Sequence, residues 1–448
     1  MHFKYTAVAA SLTLALSLTG CGSDSDTNST AGTGNTIKVI DGYLSQAEIC
    51  IDQNKNSVCD AGELLPTLTN AKGEITIPAD KAGYPIIARA IAGKTSDSDK
   101  PGTLGNSYEL IAAAGSKVVT PFTTLASVQG KTLAQVASEL NLPAEMISGD
   151  YVAMKASDNK AKEVHLLARS VTSELAPTVK DNQAAELTAT TQKIQKEIDD
   201  QVNAGAKLDD ITIEIDDSGK ASSVTIIQSL DAYLKDGDSQ FISMNQAYAI
   251  DEGIFKVSVS GEKQLTLTDK NSKVETINYT TEGNTLVVSS GANSERDTFI
   301  YIAENISLAV TEDSDLILWT KGDLQKSQPL AASYFEGKTW YYLSDDAPSQ
   351  SKEAQPMVAK MVFGKDKVTI TEPYSTKPTE SMDLPWKMDG DKLFINFPEG
   401  DSDFSVTLYL EDKNMMAVYN YSESRMGVYD LFIKHEDMAK NLYNKWKK

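Results

Sequence analysis

Histidine and cysteine are scarce in this chain, with three of each among 448 residues. His165 and His435 are the only histidines beyond the extreme N-terminus, so histidine-based triads and zinc cages have almost nothing to draw on. Gly-x-Ser-x-Gly, the phosphate-binding Gly-rich loop and His-Glu-x-x-His are absent from the sequence. Positive charge is also short: 42 basic residues face 63 acidic ones, a net charge of -21. That balance argues against nucleic acid and against docking on anionic lipid through protein charge. Nor is there an apolar run long enough to span a bilayer, since the run from Ala7 to Leu18 is too short. Hydrophobic residues at 41% and charged ones at 23% give globular composition, and the length predicts more than one core.

What is present begins with "MHFKYTAVAASLTLALSLTGC". Lys4 precedes the short apolar run, the pattern of a secretory signal over residues 1–20. The run ends in Leu18-Thr19-Gly20-Cys21, which resembles the bacterial lipobox, and the resemblance implies acylation of Cys21. Several acyl chains give a stable membrane anchor where one gives only marginal affinity. With Gly22 rather than Asp after the cysteine, similarity to Gram-negative lipoproteins implies the outer membrane, with its cell-surface and periplasmic faces both open. Residues 21–36 are small and polar, as a flexible tether is. An oxidising compartment would then pair the two remaining cysteines, Cys50 and Cys59, in a structural bridge.

That pair brackets "CIDQNKNSVCDAGE", in which oxygen-bearing side chains recur at alternate positions. Calcium is a hard cation that takes six to eight oxygens, and its loop template places donors at positions 1, 3, 5, 7, 9 and 12. Counting from Asp52, those positions hold Asp52, Asn54, Asn56, the Val58 carbonyl, Asp60 and Glu63. Ser57 stands where the template has glycine, at a position that needs left-handed backbone. Calcium is thus the expected cofactor, at the weak affinity of extracellular modules.

The flanks "TIKVIDGYLSQAEICI", Glu74–Ile77 and Tyr84–Ala90 alternate as strands do. With the acidic loop and the "TNAKGEITI" hairpin, this order resembles the transthyretin-like Cna-B or B-type repeats of bacterial surface adhesins. The resemblance implies a β-sandwich over residues 37–117, stiffened by calcium and without catalysis. Residues 118–237 read as mainly helical, with helices from Pro121, near Leu133, over "NKAKEVHLLARSVTSELAPT" and within Leu187–Ala206, one hairpin from Asp210 to Ile227, and "QSLDAYLKDG" closing the region as a last short helix. "PFTTL" after such a sandwich is similar to an arrangement in Gram-negative surface lipoproteins, and it implies no activity. His165, among apolar neighbours, reads as a packing or solvated residue rather than a ligand.

The C-terminal half matches itself. "GEKQLTLT" at Gly261 pairs with "GKDKVTIT" at Gly364, "EGNTLVV" at Glu282 with "DGDKLFI" at Asp389, and "DTFIYIAENISLAV" at Asp297 with "SVTLYLEDKNMMAV" at Ser405. Three blocks in one order predict a duplicated all-β unit, residues 238–328 and 329–435, before a helix over 436–448. The strand spacing fits an up-and-down barrel or a sandwich. Gly337-Lys-Thr-Trp340 near the start of the second copy resembles the lipocalin Gly-x-Trp signature with one extra residue. Trp340, Tyr341, Trp386 and Tyr409 are candidates for lining a ligand pocket, the alternative being that they fill a core. Paired acids such as Asp345-Asp346 read as solvated turn residues.

The expected fold is therefore multidomain α+β: an N-terminal β-sandwich, a helical middle and duplicated barrel-like repeats. The expected function is a non-enzymatic, lipid-anchored envelope protein whose β domains bind a protein, glycan or matrix partner. Alternatives are a lipocalin-like carrier of a small apolar ligand and, more distantly, a carboxylate-dependent hydrolase.

Overall fold

A computed structural model describes residues 34–175, 184–215, 219–290, 293–303, 305–326, 328–374, 381–397, 404–412, 414–422 and 427–447. The expected signal sequence, Cys21 and nearly all of the expected tether lie outside the described residues, as does Asp216–Ser218, where the hairpin turn is expected. The fold is mixed α+β and mostly β.

Near the N-terminus, alternating β-branched residues build two three-stranded sheets. One orders Glu74–Ile77, Asn35–Val39 and Val118–Val119; the other orders Glu48–Ile51, Ile86–Ala90 and Tyr108–Ala112. Ile37 and Ile75 face each other in register, as do Cys50 and Ile87. Ile37, Val39 and Ile77 from the first sheet share one apolar core with Ile49, Ala88 and Leu110 from the second. Each such aliphatic side chain contributes about 1.5–3 kcal/mol on burial. The Asn70–Gly73 turn is closed by Asn70 Oδ1, which accepts from the backbone N–H of Lys72 and of Glu74 at 2.8 and 2.9 Å. Gly73 supplies the left-handed residue there, with φ 69°.

The helices follow their periodicity. Pro121–Val128 starts at a capping box in which Thr120 and Thr123 satisfy each other's free N–H groups. Asn159–Thr172 is buried throughout from Val164 onward and forms the centre of a second core with Phe122, Leu125, Ile194 and Ile198. The strand pair Ile211–Ile215 and Ala221–Thr225 adds Ile213 to it.

Two closed barrels follow, each of eight antiparallel strands paired in chain order. The first runs from Ser239–Ser243 to Leu316–Thr320 and the second from Thr339–Asp345 to Tyr429–Ile433, first strand pairing with last in both. The internal matches of the sequence fall on equivalent places, namely the third, fifth, sixth and seventh strands of each barrel. Both interiors are filled with aromatic side chains. In the first, Phe241 stacks on Trp319 at 4.8 Å, with Phe299 beside them. The short helix Leu230–Lys235 does not pack with the helical region; its Leu230, Tyr233 and Leu234 enter this barrel's core. In the second, Trp340, Phe363, Trp386 and Phe432 surround Phe335.

Strands of a one-sided barrel alternate apolar-in and polar-out. Leu316–Thr320 and Tyr429–Ile433 do not alternate and are buried on both faces. Ile317 and Trp319 point into the first barrel, while Leu316 and Leu318 join Met415, Ala417, Leu431 and Ile433 of the second in a shared outer core. The helix Glu436–Trp446 lays Met438, Leu442 and Trp446 on that seam. Its Trp446 Nε1 donates to the Ser314 carbonyl at 2.9 Å. Asp345, expected as a solvated turn residue, is 1% exposed and accepts from Asn245 of the first barrel at 2.8 Å. Burial of both barrel flanks, which single-strand reading does not reveal, is what draws it inside.

Candidate functional site

The Asp52–Glu63 loop folds around its own carboxylates. Asp52 is buried and accepts from the N–H of Asn56 and of Ser57, both at 3.0 Å. Glu63, also buried, accepts from Gln53 N–H at 2.7 Å and from Asp60 N–H at 3.4 Å through its two oxygens. Asn54 and Asn56 both turn their amides to Asp60 Oδ2, at 2.8 and 3.0 Å. Ser57 has φ 58°, the left-handed backbone that the template asks of that position. Cys50 and Cys59 are bridged, with Cα atoms 5.5 Å apart, which fixes one side of the loop. The set a cation would meet is three carboxylates, two carboxamides and the Val58 carbonyl, all oxygen chemistry suited to calcium once the amides present oxygen instead of nitrogen. As the side chains stand, no three or more His, Cys, Asp or Glu groups among the described residues cluster as a metal site.

The three aromatic candidates with described side chains do not converge. Trp340 and Trp386 point into the second barrel, where their indole N–H groups donate to the Tyr334 and Gly364 carbonyls at 2.9 and 3.1 Å. Tyr341, the next residue along the strand, points outward and donates to Glu436 at 3.0 Å. The side chain of Tyr409 lies outside the described residues.

A second acidic cluster lies where the N-terminal sheets meet the helix Asn159–Thr172. Asp97 is buried and accepts from the Asp99 N–H at 3.0 Å. Asp99 Oδ2 sits 2.7 Å from His165 Nε2 and 3.3 Å from Arg169 Nη1. Asp41 accepts from the Tyr108 hydroxyl at 3.0 Å, and Tyr151, whose hydroxyl donates to the Ile40 carbonyl at 2.7 Å, packs its ring on His165. Gly42 makes the approach possible: a Cβ there would fall 1.9 Å from Asp97 Oδ1. Burial, then the charges of Asp99 and Asp41, push the Asp97 carboxyl well above the usual range. Burial and the Asp99 charge also push Asp41 up, partly offset by Thr172 and Tyr108. Burial opposes ionisation of Asp99 too, but His165, Arg169 and Lys155 outweigh it and hold that carboxyl below its ordinary value. His165 is thus a packed residue with an ionic neighbour. No local pattern announces this cluster, because its members stand on segments far apart in the chain.

No protein-family model matches the chain, and no curated protein matches it. Among solved structures it is similar to a protein of unknown function from the DUF3598 family of Nostoc punctiforme, 11% identical, covering 44% of this chain and 92% of that one, with a TM-score of 0.18. A fainter likeness is to the beta chain of DNA polymerase III from Streptococcus pneumoniae, 9% identical over 46% of this chain and 58% of that one, TM-score 0.10. At such TM-scores neither likeness carries an argument about fold or function.

Proposed function

We propose that this is a non-enzymatic, lipid-anchored envelope protein of the outer membrane, in which a calcium-braced β-sandwich and twin barrels form a rigid platform for partner binding. Cys21 carries the anchor, and the polar segment from Cys21 up to the strand Asn35–Val39 tethers the folded part to the membrane. Asp52, Asn54, Asn56, the Val58 carbonyl, Asp60 and Glu63 hold the cation, which closes the loop and stiffens the sandwich beside it.

The observation that carries the platform reading is the filling of both barrels by their own aromatic and aliphatic side chains. A cup that carries cargo keeps an interior space, whereas these interiors leave recognition to outer surfaces. Eight strands closed in chain order is also lipocalin-like architecture, and that favours the carrier as the second reading. Its apolar ligand would have to displace Phe335, Trp340 or Trp386 from the packed core.

The test compares cells carrying the chain with cells carrying Cys21→Ser. Detergent-phase partition and retention on protein-coated and polysaccharide-coated surfaces are scored. Partition and retention that both need Cys21 are expected. Equal retention by the chain and by Cys21→Ser would overturn the platform reading.

A further inference from the structure

The two barrels meet through the same face of each. In the first, Ile242, Leu318 and Leu308 stand side by side on the first, eighth and seventh strands; in the second, Leu343, Leu431 and Ala417 hold the same places. All six enter the shared outer core. Asn305 and Asn414 each stand three residues before the seventh-strand member of its trio, and both reach across the seam. Asn414 donates to the Tyr301 hydroxyl at 3.1 Å, and Asn305 donates to the Glu411 carbonyl at 3.2 Å. Using one patch twice is how a two-fold interface is built, so whatever covers one flank of the seam has a counterpart position on the other.

On the second barrel's flank that position is filled. The helix Glu436–Trp446 packs on the first two strands there and sinks Met438, Leu442 and Trp446 into the core that holds Leu343 and Val358. Its Glu436 accepts from the Tyr341 and Tyr374 hydroxyls at 3.0 and 3.3 Å. On the first barrel's flank the chain instead turns at Asp323–Lys326 and places Leu324 on the seam. The Leu324 N–H donates to Gln240, the counterpart of Tyr341, at 3.1 Å.

Beside Leu324 an open groove of about 560 Å³ runs between the barrels, lined by Ile242, Ile254, Lys256, Lys270, Gln325 and Tyr419. Lys256 pairs with Gln240 as Lys360 pairs with Tyr341, which puts Ile254 in the place of Val358. Val358 is wholly buried, whereas Ile254 and Tyr419 are only half-buried, so here the shared core runs out to solvent. Lys256 and Lys270 are exposed at the rim. Asp269, the one acid among the lining residues, already accepts from the N–H groups of Asn271 and Lys273 at 2.9 and 2.8 Å. On a chain of net charge -21 this rim is locally basic, which favours acid on the occupant. An apolar floor with a charged rim, in the counterpart position of a bound helix, is the layout of helix-in-groove recognition.

We infer that this groove takes an amphipathic helix of a protein partner, with its apolar face on Ile254 and Tyr419 and its acidic residues toward Lys256 and Lys270. The inference rests on the partner-binding reading and names the partner's chemistry. The probe is a fluorescent peptide of the Glu436–Trp446 sequence, held helical by a side-chain staple and titrated with the full chain. Saturable binding is expected, and the Leu442→Asp peptide should not bind. Ile254→Asp, and the pair Lys256→Glu with Lys270→Glu, should each weaken binding at least tenfold; if the first lowers Tm, the lysine pair decides. Absence of binding overturns the inference, as does equal binding by the variants, which would place the peptide on the site of the chain's own last helix. A dimer of the chain alone that the same variants abolish would assign the groove to a second copy and overturn it too. Absence of peptide binding with Cys21-dependent surface retention intact sinks the groove alone, whereas loss of both sinks the platform reading as well.

Discussion

Two acidic clusters stand in the N-terminal part of this protein, and they are built in opposite ways. The Asp52–Glu63 loop spends its carboxylates on N–H groups of its own backbone, within a dozen residues. The Asp41, Asp97 and Asp99 cluster is assembled across long sequence distances and is answered by one histidine and one arginine on a neighbouring helix. A local loop can exchange its hydrogen bonds for a cation without disturbing the core. A buried seam cannot lose a partner without stranding a charge. The first arrangement suits reversible binding and the second suits fixing two units against each other.

The comparison breaks most readily at the seam. Replacing His165 by Leu removes a partner of Asp99 in a site where that imidazole has no exposed surface. A loss of about 3–5 kcal/mol is expected, measured by urea unfolding, as for other broken buried pairs. A loss below 1 kcal/mol, on the scale of exposed pairs, would show that the seam is solvated. Next in size, the paired change Cys50→Ser and Cys59→Ser, which opens a loop of sequence separation 9, should cost about 2–3 kcal/mol in the same assay.

A third change sharpens the contrast through pH. Asp97 has a folded-state value raised well above 3.8, so the folded form binds its proton more tightly than the unfolded form does. Its contribution to stability is therefore fully present below pH 3.8 and is lost as pH rises through the higher folded value. Asp97→Asn should raise Tm by a few degrees at pH 8, and the gain should vanish toward pH 4. Asp99, held low, has the opposite sign: Asp99→Asn should destabilise near neutrality and become harmless in acid. Identical Tm-against-pH profiles for the two variants would contradict the assignment. The smallest effect belongs to the loop: Glu63→Gln in chelator should move Tm little, since an amide oxygen still accepts from Gln53.

How far the sequence could be read follows the same division between local and distant. The helix at Pro121, the Asn70–Gly73 turn and the left-handed Ser57 are set by neighbours a few residues away, and they were readable. So was the duplication, because equivalent strands kept equivalent patterns, and the structure resolves the repeats into two separate barrels. The barrel seam was hidden, although "LILWT" and "YDLFI" carry a trace of it in their missing alternation. Asp41, Asp97, Asp99 and Arg169 had no periodicity or motif to mark them; only folding brings them together. Of the four aromatic candidates, Trp340 and Trp386 share a core while Tyr341 faces the other way, a consequence of the period-two strand.

The account turns on the Asp52–Glu63 loop as a cation site. The most direct measurement is the thermal melt of the full chain in millimolar calcium and in chelator, run beside Glu63→Gln. At tenfold excess over its dissociation constant, calcium should add about 1.4 kcal/mol to the wild-type protein, with a clear rise in Tm and no rise in the variant. Superimposable wild-type melts with and without calcium would contradict it.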